Sequence, residues 1–399
     1  MSYERSAATW AFVALSGSVS AEAERGQREI QRPAVEFSAP PAGVRAGGPD
    51  DEAELVREAR LDTILRVALA RNPELHEGRE RVRAAMQRTK AASRLPDLQF
   101  KYEQWAVPLG RPWALDEAGM LMWGLEQTFP APGSLSARER MAHQDAKILI
   151  ESQRGRELDV IAKLRRAYYD YTFADWERRV HVEMIDVTMR MGEIARVNYL
   201  AGRATQQDVL RLLVETSRHH NDLAGIESLR HSSRAMLNAL MARAPDAPLG
   251  PAPDLEPKVV DLRAHELRGR LEQRSPALIA AGRSVERGQA ELDEAQSRAR
   301  WPSFMVGADY WYMPAQDSPH AYGAMLSLNL PWFNPGHREE VRAAERTLAA
   351  DREALLEVRS AAHFELEDAM ARYDAARESY TIIDRDLLGQ AQKSFESAE

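Results

Sequence analysis

The chain of 399 residues has no cysteine, which removes disulfides, thiolate metal sites, cysteine nucleophiles and a cysteine-borne lipid anchor at one stroke. Aromatic residues make up only 7% of it, too few for a thick globular core of the globin or Rossmann kind. No stretch approaches the ~20 uninterrupted apolar residues of a membrane-crossing helix, so any crossing of a bilayer has to use strands. Phosphate-binding glycine loops, nucleophile elbows and H-E-x-x-H patterns are all missing from the sequence, so no catalytic residue and no cofactor site is assigned. Net charge is -8, from 53 basic and 61 acidic residues. Both signs are interleaved, which leaves no electrostatic footprint for nucleic acid.

What the sequence has in quantity is Ala, Arg, Glu and Leu, with 29% charged residues, the mixture of long helices packed through narrow seams. Residues 1–25 read as a candidate signal peptide: Arg5, an apolar stretch from Ala7 to Val19, then small residues at Ser20 and Ala21. Residues 26–51, rich in Pro, Gly and Ala, read as an extended tether. A helical pattern starts near Glu52, runs to Asn72, restarts after Pro73 and reaches Arg94 ahead of Pro96.

The period then changes from helical to two. Leu98, Phe100 and Tyr102 fall on one side, with Gln99, Lys101 and Glu103 on the other; after a Pro- and Gly-bearing loop, Leu121, Trp123, Leu125 and Phe129 alternate again. Residues 97–130 are thus predicted to form a β-hairpin with one greasy side. From Gly133 to Ala244 no proline occurs, and Leu158, Ile161, Leu164, Tyr168 and Tyr171 step by three or four as a helix seam does. The pattern breaks only at Tyr199-Leu-Ala-Gly202-Arg-Ala-Thr205, where Gly202 suits a C-cap, Thr205 the next N-cap and Asp208 the first turn beyond it. Residues 134–244 therefore read as a long helical hairpin that closes a first repeat, 52–245.

A linker at 246–257 follows; Pro245 to Pro257 holds five prolines in thirteen residues. The programme then repeats over 258–399. Ser275-Pro-Ala-Leu278 echoes Asn72-Pro-Glu-Leu75, Trp301-Pro302 echoes Leu95-Pro96, and Asn334-Pro-Gly336 echoes Ala131-Pro-Gly133, at offsets of 203, 206 and 203 residues. A second β-hairpin, 301–331, carries Phe304, Val306, Ala308, Tyr310 and Tyr312, then Tyr322, Ala324, Leu326, Leu328 and Leu330. A proline-free helix, 337–399, comes next, with a near-heptad seam from Leu355 to Leu387. By the repeat, that helix should turn and return through about fifty further residues.

Four strands cannot close a membrane barrel alone. Unpaired backbone groups in hydrocarbon cost several kcal/mol each, so other copies must close the edges; three copies would give twelve strands, an even number in the outer-membrane range. Six of the eight tryptophans, Trp105, Trp113, Trp123, Trp301, Trp311 and Trp332, lie in or beside the strands, as interfacial girdles would place them.

From about Leu61 onward the chain resembles the TolC-like outer membrane efflux proteins. The resemblance is carried by the duplicated helix, hairpin, helix plan, the strand starts at Pro96 and Pro302, the strand exits Phe129-Pro-Ala-Pro-Gly133 and Leu330-Pro-Trp-Phe-Asn-Pro-Gly336, and Tyr199-Leu-Ala-Gly202 with Asp208-Val-Leu210. It implies a mostly α fold of duplicated helical hairpins forming an α-barrel, with four β-strands per protomer contributing to a trimeric twelve-stranded transmembrane β-barrel. It implies a non-enzymatic homotrimer in the cell outer membrane, extending into the periplasm, that acts as the passive conduit of a tripartite efflux or secretion system for small molecules or metal ions. The partners it implies are a periplasmic adaptor (membrane fusion) protein, an inner-membrane pump of the RND or ABC type, and outer membrane lipid.

Two sets of residues follow. Tyr199, Ala201, Gly202, Arg203, Ala204, Thr205 and Asp208 would form the adaptor-docking tip. Leu98, Phe100, Tyr102, Leu121, Trp123, Leu125, Phe304, Val306, Tyr310, Tyr312, Leu326 and Leu328 would form the transmembrane strand faces. The second helical tip, with the gating region, would fall after Glu399. The competing reading is a soluble periplasmic coiled-coil scaffold or adaptor, which would need many more short strands than four.

His181 and the pair His219-His220 sit on predicted helices without the i, i+4 partner of a common zinc pattern, and are expected to be solvated surface histidines, with no metal site assigned. Met120, Met122, Met305 and Met325 occupy like places in the two hairpins, so a soft-metal path through a pore is a second possibility for the cargo.

Overall fold

A computed structural model describes residues 48–397 apart from 108–109, 112, 114–117, 255–259, 261–262 and 315–318. The expected signal peptide and most of the expected tether lie outside the described residues, as does the end of the proline-rich linker. The fold is mostly helical, with one four-stranded antiparallel sheet. The described residues fall into two compact units, one of residues 48–79 and 153–254 and one of residues 80–152 and 260–397.

In the first unit, α1 (Pro49–Arg57) starts on a proline, the residue whose fixed φ and missing N–H suit a first turn. The last residues of the expected tether are therefore helical. A single helix from Glu52 to Asn72 is also not what forms: α1 ends, Glu58 is extended, and α2 (Leu61–Arg71) begins afresh. The cause is distant in sequence. The linker lies against this break, with Ala59 N–H donating to Pro251 O at 3.0 Å and Gly250 N–H to Leu55 O at 2.9 Å. Gly250 sits so close to the Val56 and Arg57 backbone that an added Cβ would stand 2.7 Å from it. The linker is thus docked backbone to backbone.

Next, α3 (Pro73–Ala92) opens with Asn72 Oδ1 accepting from the N–H groups of Glu74 and Leu75 at 2.9 and 3.3 Å. Two helices complete the hairpin, α4 (Ser134–Leu200) and α5 (Gln206–Leu240). At 67 residues α4 is about 100 Å long at 1.5 Å per residue. The core of this unit gathers Leu55, Ile64, Val67 and Leu75 with Val160, Leu164, Tyr168 and Tyr171 of α4 and Leu237 and Met241 at the end of α5. Tyr171 buries its ring there and its hydroxyl donates to Gly250 O at 2.9 Å. Arg230 stacks over that ring at 5.5 Å and pairs with Asp175 at 2.9 Å, so this cation at the core edge is matched.

The second unit carries the repeat. α6 (Ala264–Arg274) and α7 (Pro276–Arg300) match α2 and the start of α3 at an offset of 203 residues, and Ser275 caps α7 as Asn72 caps α3. α8 (Gly336–Ile382) continues through one π-helical turn, Ile383–Leu387, into α9 (Leu388–Glu396). α7 packs on α8 through Leu292, Ala295, Ala344 and Leu348, and on the start of α4 through ion pairs, Arg140–Asp293 at 2.7 Å and Arg287–Asp145 at 2.8 Å.

Candidate functional site

The sheet runs in the order β1 (Gln99–Trp105), β2 (Met120–Phe129), β3 (Ser303–Tyr312), β4 (His320–Asn329), each strand antiparallel to the next. The two hairpins of the two repeats are joined by β2 and β3, with Trp123 opposite Tyr310 and Phe129 opposite Phe304. β1 and β4 are left at the edges.

Because side chains alternate along a strand, register decides which residues share a face. Here Tyr102 faces Trp123, Trp123 faces Tyr310 and Tyr310 faces Tyr322. These four aromatics form one row across the sheet, with ring centroids 5.7 Å apart between Tyr102 and Trp123 and 5.8 Å between Trp123 and Tyr310. One step along, Phe100, Leu125, Ala308 and Ala324 form the next row. Further still lie Val306 with Leu326, then Phe129, Phe304 and Leu328, the two Phe rings stacked at 4.9 Å.

Every strand residue expected on the greasy side falls on this one face; Leu98 has the same parity and precedes β1 by one residue. The face is largely open, Tyr322 being 90% exposed, while Leu121 is buried. No Asp, Glu, Lys or Arg stands on it within the four strands. All four charged strand residues, Lys101, Glu103, Glu126 and Asp309, are on the opposite face, where Lys101 pairs with Glu103 at 2.8 Å and lies 3.9 Å from Glu126. Met120, Met122, Met305 and Met325 share that polar face.

Tryptophans sort along the strands. Trp105, Trp113, Trp123 and Trp311 lie toward the hairpin loops, whereas Trp301 and Trp332 lie at the helix ends of the strands. Of those within the strands, Trp123 is on the apolar face, but Trp105 and Trp311 are on the polar one, where a girdle facing lipid would not place them. Ten residues of β2 at about 3.4 Å each, tilted by about 40°, span about 26 Å, close to the apolar band of an outer-membrane barrel.

The helical turn at 201–205 has a different construction. Arg203 N–H reaches Asn198 O at 2.8 Å and Gly202 N–H reaches Tyr199 O at 3.0 Å, the pair of bonds of a Schellman motif, with Gly202 at φ +75°. A side chain at that φ would be strained, which is why glycine stands there. Thr205 then opens α5 with a capping box: its backbone N–H and hydroxyl donate to Asp208 Oδ2 at 2.9 and 2.7 Å, and Asp208 N–H donates to its Oγ1 at 3.3 Å. The Thr205 hydroxyl first, and its N–H second, hold the Asp208 carboxyl below the usual carboxylate range. Tyr199, Ala201, Gly202, Arg203, Thr205 and Asp208 are exposed and Ala204 is half-buried. Around them Ile194, Val197, Leu200, Leu210, Leu213 and Val214 present open apolar side chains, Leu200 at 75%.

The histidines depart from expectation. His181 of α4 and His219 of α5 meet edge to face with ring centroids 5.4 Å apart, both half-buried, and of these three histidines His220 alone is exposed. Spacing along one helix cannot reveal a pair contributed by two.

No family model matches the sequence, and no curated protein does. Solved structures do match. The outer-membrane channel OprN aligns with a TM-score of 0.72 at 16% identity, over 89% of this chain and 86% of that one. CusC, a protein of transmembrane channel formation, aligns at 0.71 and 17% identity, over 86% and 82%. The outer membrane protein VceC from Vibrio cholerae aligns at 0.67 and 16% identity, over 85% of each. The chain therefore has the fold of these outer-membrane proteins, hairpins and long helices together. Among the described residues no helix is both long and apolar enough to cross a membrane.

Proposed function

We propose that this chain is one protomer of a homotrimeric outer-membrane channel, a passive, non-enzymatic conduit for export across the periplasm and outer membrane. The observation that carries the reading is the segregation of the sheet: one face wholly free of Asp, Glu, Lys and Arg and girdled by aromatics, the other holding every charged residue of the strands. A soluble scaffold would have no reason to leave Phe100, Leu125, Tyr322, Leu326 and Leu328 open to water. Lipid on that face and water on the other account for both halves of the pattern.

The unpaired edges argue for the assembly. β4 of one copy pairs with β1 of the next, and three copies of a four-stranded sheet close a barrel of twelve strands without an open edge. The open apolar side chains beside the 201–205 turn are covered by the same neighbours, since helices with exposed Leu and Val on two sides need partners on both.

Tyr199, Ala201, Gly202, Arg203, Ala204, Thr205 and Asp208 are the docking surface for a periplasmic adaptor, and the adaptor joins the channel to an inner-membrane pump of the RND or ABC type. The rigid, doubly capped turn supports this, because it presents Tyr199 and Arg203 from a fixed backbone. The test is conductance. Purified protein added to a planar bilayer should give uniform steps, abolished by a Leu125→Arg change; a preparation that never conducts in any lipid would overturn the channel reading.

A further inference from the structure

The meeting of His181 and His219 has a third member. Asp222 lies three residues after His219 on the same face of α5, and the ligating atoms of His181, His219 and Asp222 all lie within 4.8 Å of one another. One observation sets this trio apart from an ordinary cluster of surface side chains. The Nδ1 atoms of His181 and of His219 are both shut off from solvent and have no hydrogen-bond partner, a state that buried ring nitrogens rarely keep. Asp222, by contrast, is exposed, so its carboxylate can swing without disturbing the helix pair.

We propose that His181, His219 and Asp222 form a metal site that ties α4 to α5, for a first-row divalent transition ion such as zinc. Two neutral imidazoles and one carboxylate are a borderline donor set, suited to zinc, cobalt, nickel or copper and not to calcium or magnesium. Metal–nitrogen bonds of about 2.0–2.1 Å put tetrahedral donors about 3.4 Å apart. The three donors already lie within 4.8 Å of one another, and the exposed carboxylate of Asp222 can rotate toward the two rings as an ion draws them to that spacing. Three protein donors leave one position for water, the pattern of an accessible site.

The site sits nineteen residues before the end of α4, about 28 Å along its axis at 1.5 Å per residue. It crosslinks two long helices where His181 and His219 meet and no covalent bond joins them. Nothing in it depends on the channel reading, since one chain supplies all three ligands.

The experiment uses untagged, chelator-stripped, full-length protein in detergent. Zinc titrated calorimetrically should bind one equivalent per chain, and cobalt should give visible d–d bands that zinc abolishes. Affinity should fall about tenfold or more in His181→Ala and His219→Ala, less in Asp222→Asn, and not at all in His220→Ala. Should the alanine variants lose helicity, wild-type protein answers alone: zinc should protect His181 and His219, but not His220, from diethylpyrocarbonate, read by peptide mass. Absence of saturable binding, unchanged affinity in both alanine variants, or equal protection of all three histidines would overturn the site.

Discussion

The two faces of the sheet are built on the same four backbones, one residue out of phase, and differ in almost everything else. One holds the row Tyr102, Trp123, Tyr310 and Tyr322 and the aliphatic rows below it; the other holds Lys101, Glu103, Glu126 and Asp309 among Ser, Gly and Met, with Trp105 and Trp311 near the hairpin loops. A soluble two-layer protein also segregates its faces, but it hides the apolar one against helices. Here the apolar face is the open one. Under the proposed function, lipid lies beyond one face and water beyond the other, so changes on the two faces should have unequal effects.

The largest effect should come from exchanging the character of the apolar face at its centre. Leu125→Arg puts a charge at mid-band, where a barrel loses about 2–4 kcal/mol; heat-modifiable trimer should vanish from unboiled gels. Ser327→Arg, one strand face over, should leave the trimer in place. Equal loss from both would mean that the faces are not what they are taken for.

A smaller effect is expected from the girdle. Tyr310 touches both Trp123 and His320, and Tyr310→Ala should lower the trimer's melting midpoint through loss of aromatic contacts worth roughly 1 kcal/mol each. The helical turn gives a contrast of similar size without lipid. Thr205→Ala removes the cap, costing about 1 kcal/mol, and should raise hydrogen exchange at 201–208 while the trimer survives. Acid should act at the same place. Since the folded Asp208 carboxyl titrates lower than the unfolded one, its contribution is whole at neutral pH and is lost as pH falls through the lowered value. Exchange at the turn should therefore rise only in strong acid.

The smallest effect belongs to the methionines. With Met122 and Met325 both on the polar face, the double change to Leu should reduce copper or silver tolerance while leaving drug tolerance alone, if soft metal ions are the cargo. Equal change in both tolerances would remove metal ions from the reading.

Local periodicity made much of this legible from sequence. Alternation over 98–102 and 304–312 places the apolar strand residues on one side, and the offset of 203 residues relates α2 to α6 and Asn72 to Ser275 before any coordinates are needed. What sequence could not supply is what arises between distant segments. The break at Glu58 follows from the docking of Gly250 and Pro251, and the start of α1 at Pro49 hides in a stretch whose composition resembles a tether. The pairing of β2 with β3, which turns two hairpins into one sheet, is likewise a contact between repeats. So is the meeting of His181 with His219, which no count along either helix foretells.

Whether copies of this chain share one barrel is decided by the mass of the full-length protein in detergent. Light scattering corrected for bound detergent should give three chains per particle, with precipitation when detergent is withdrawn. A monomer that stays dispersed in plain buffer would contradict the account and make a periplasmic scaffold the better reading.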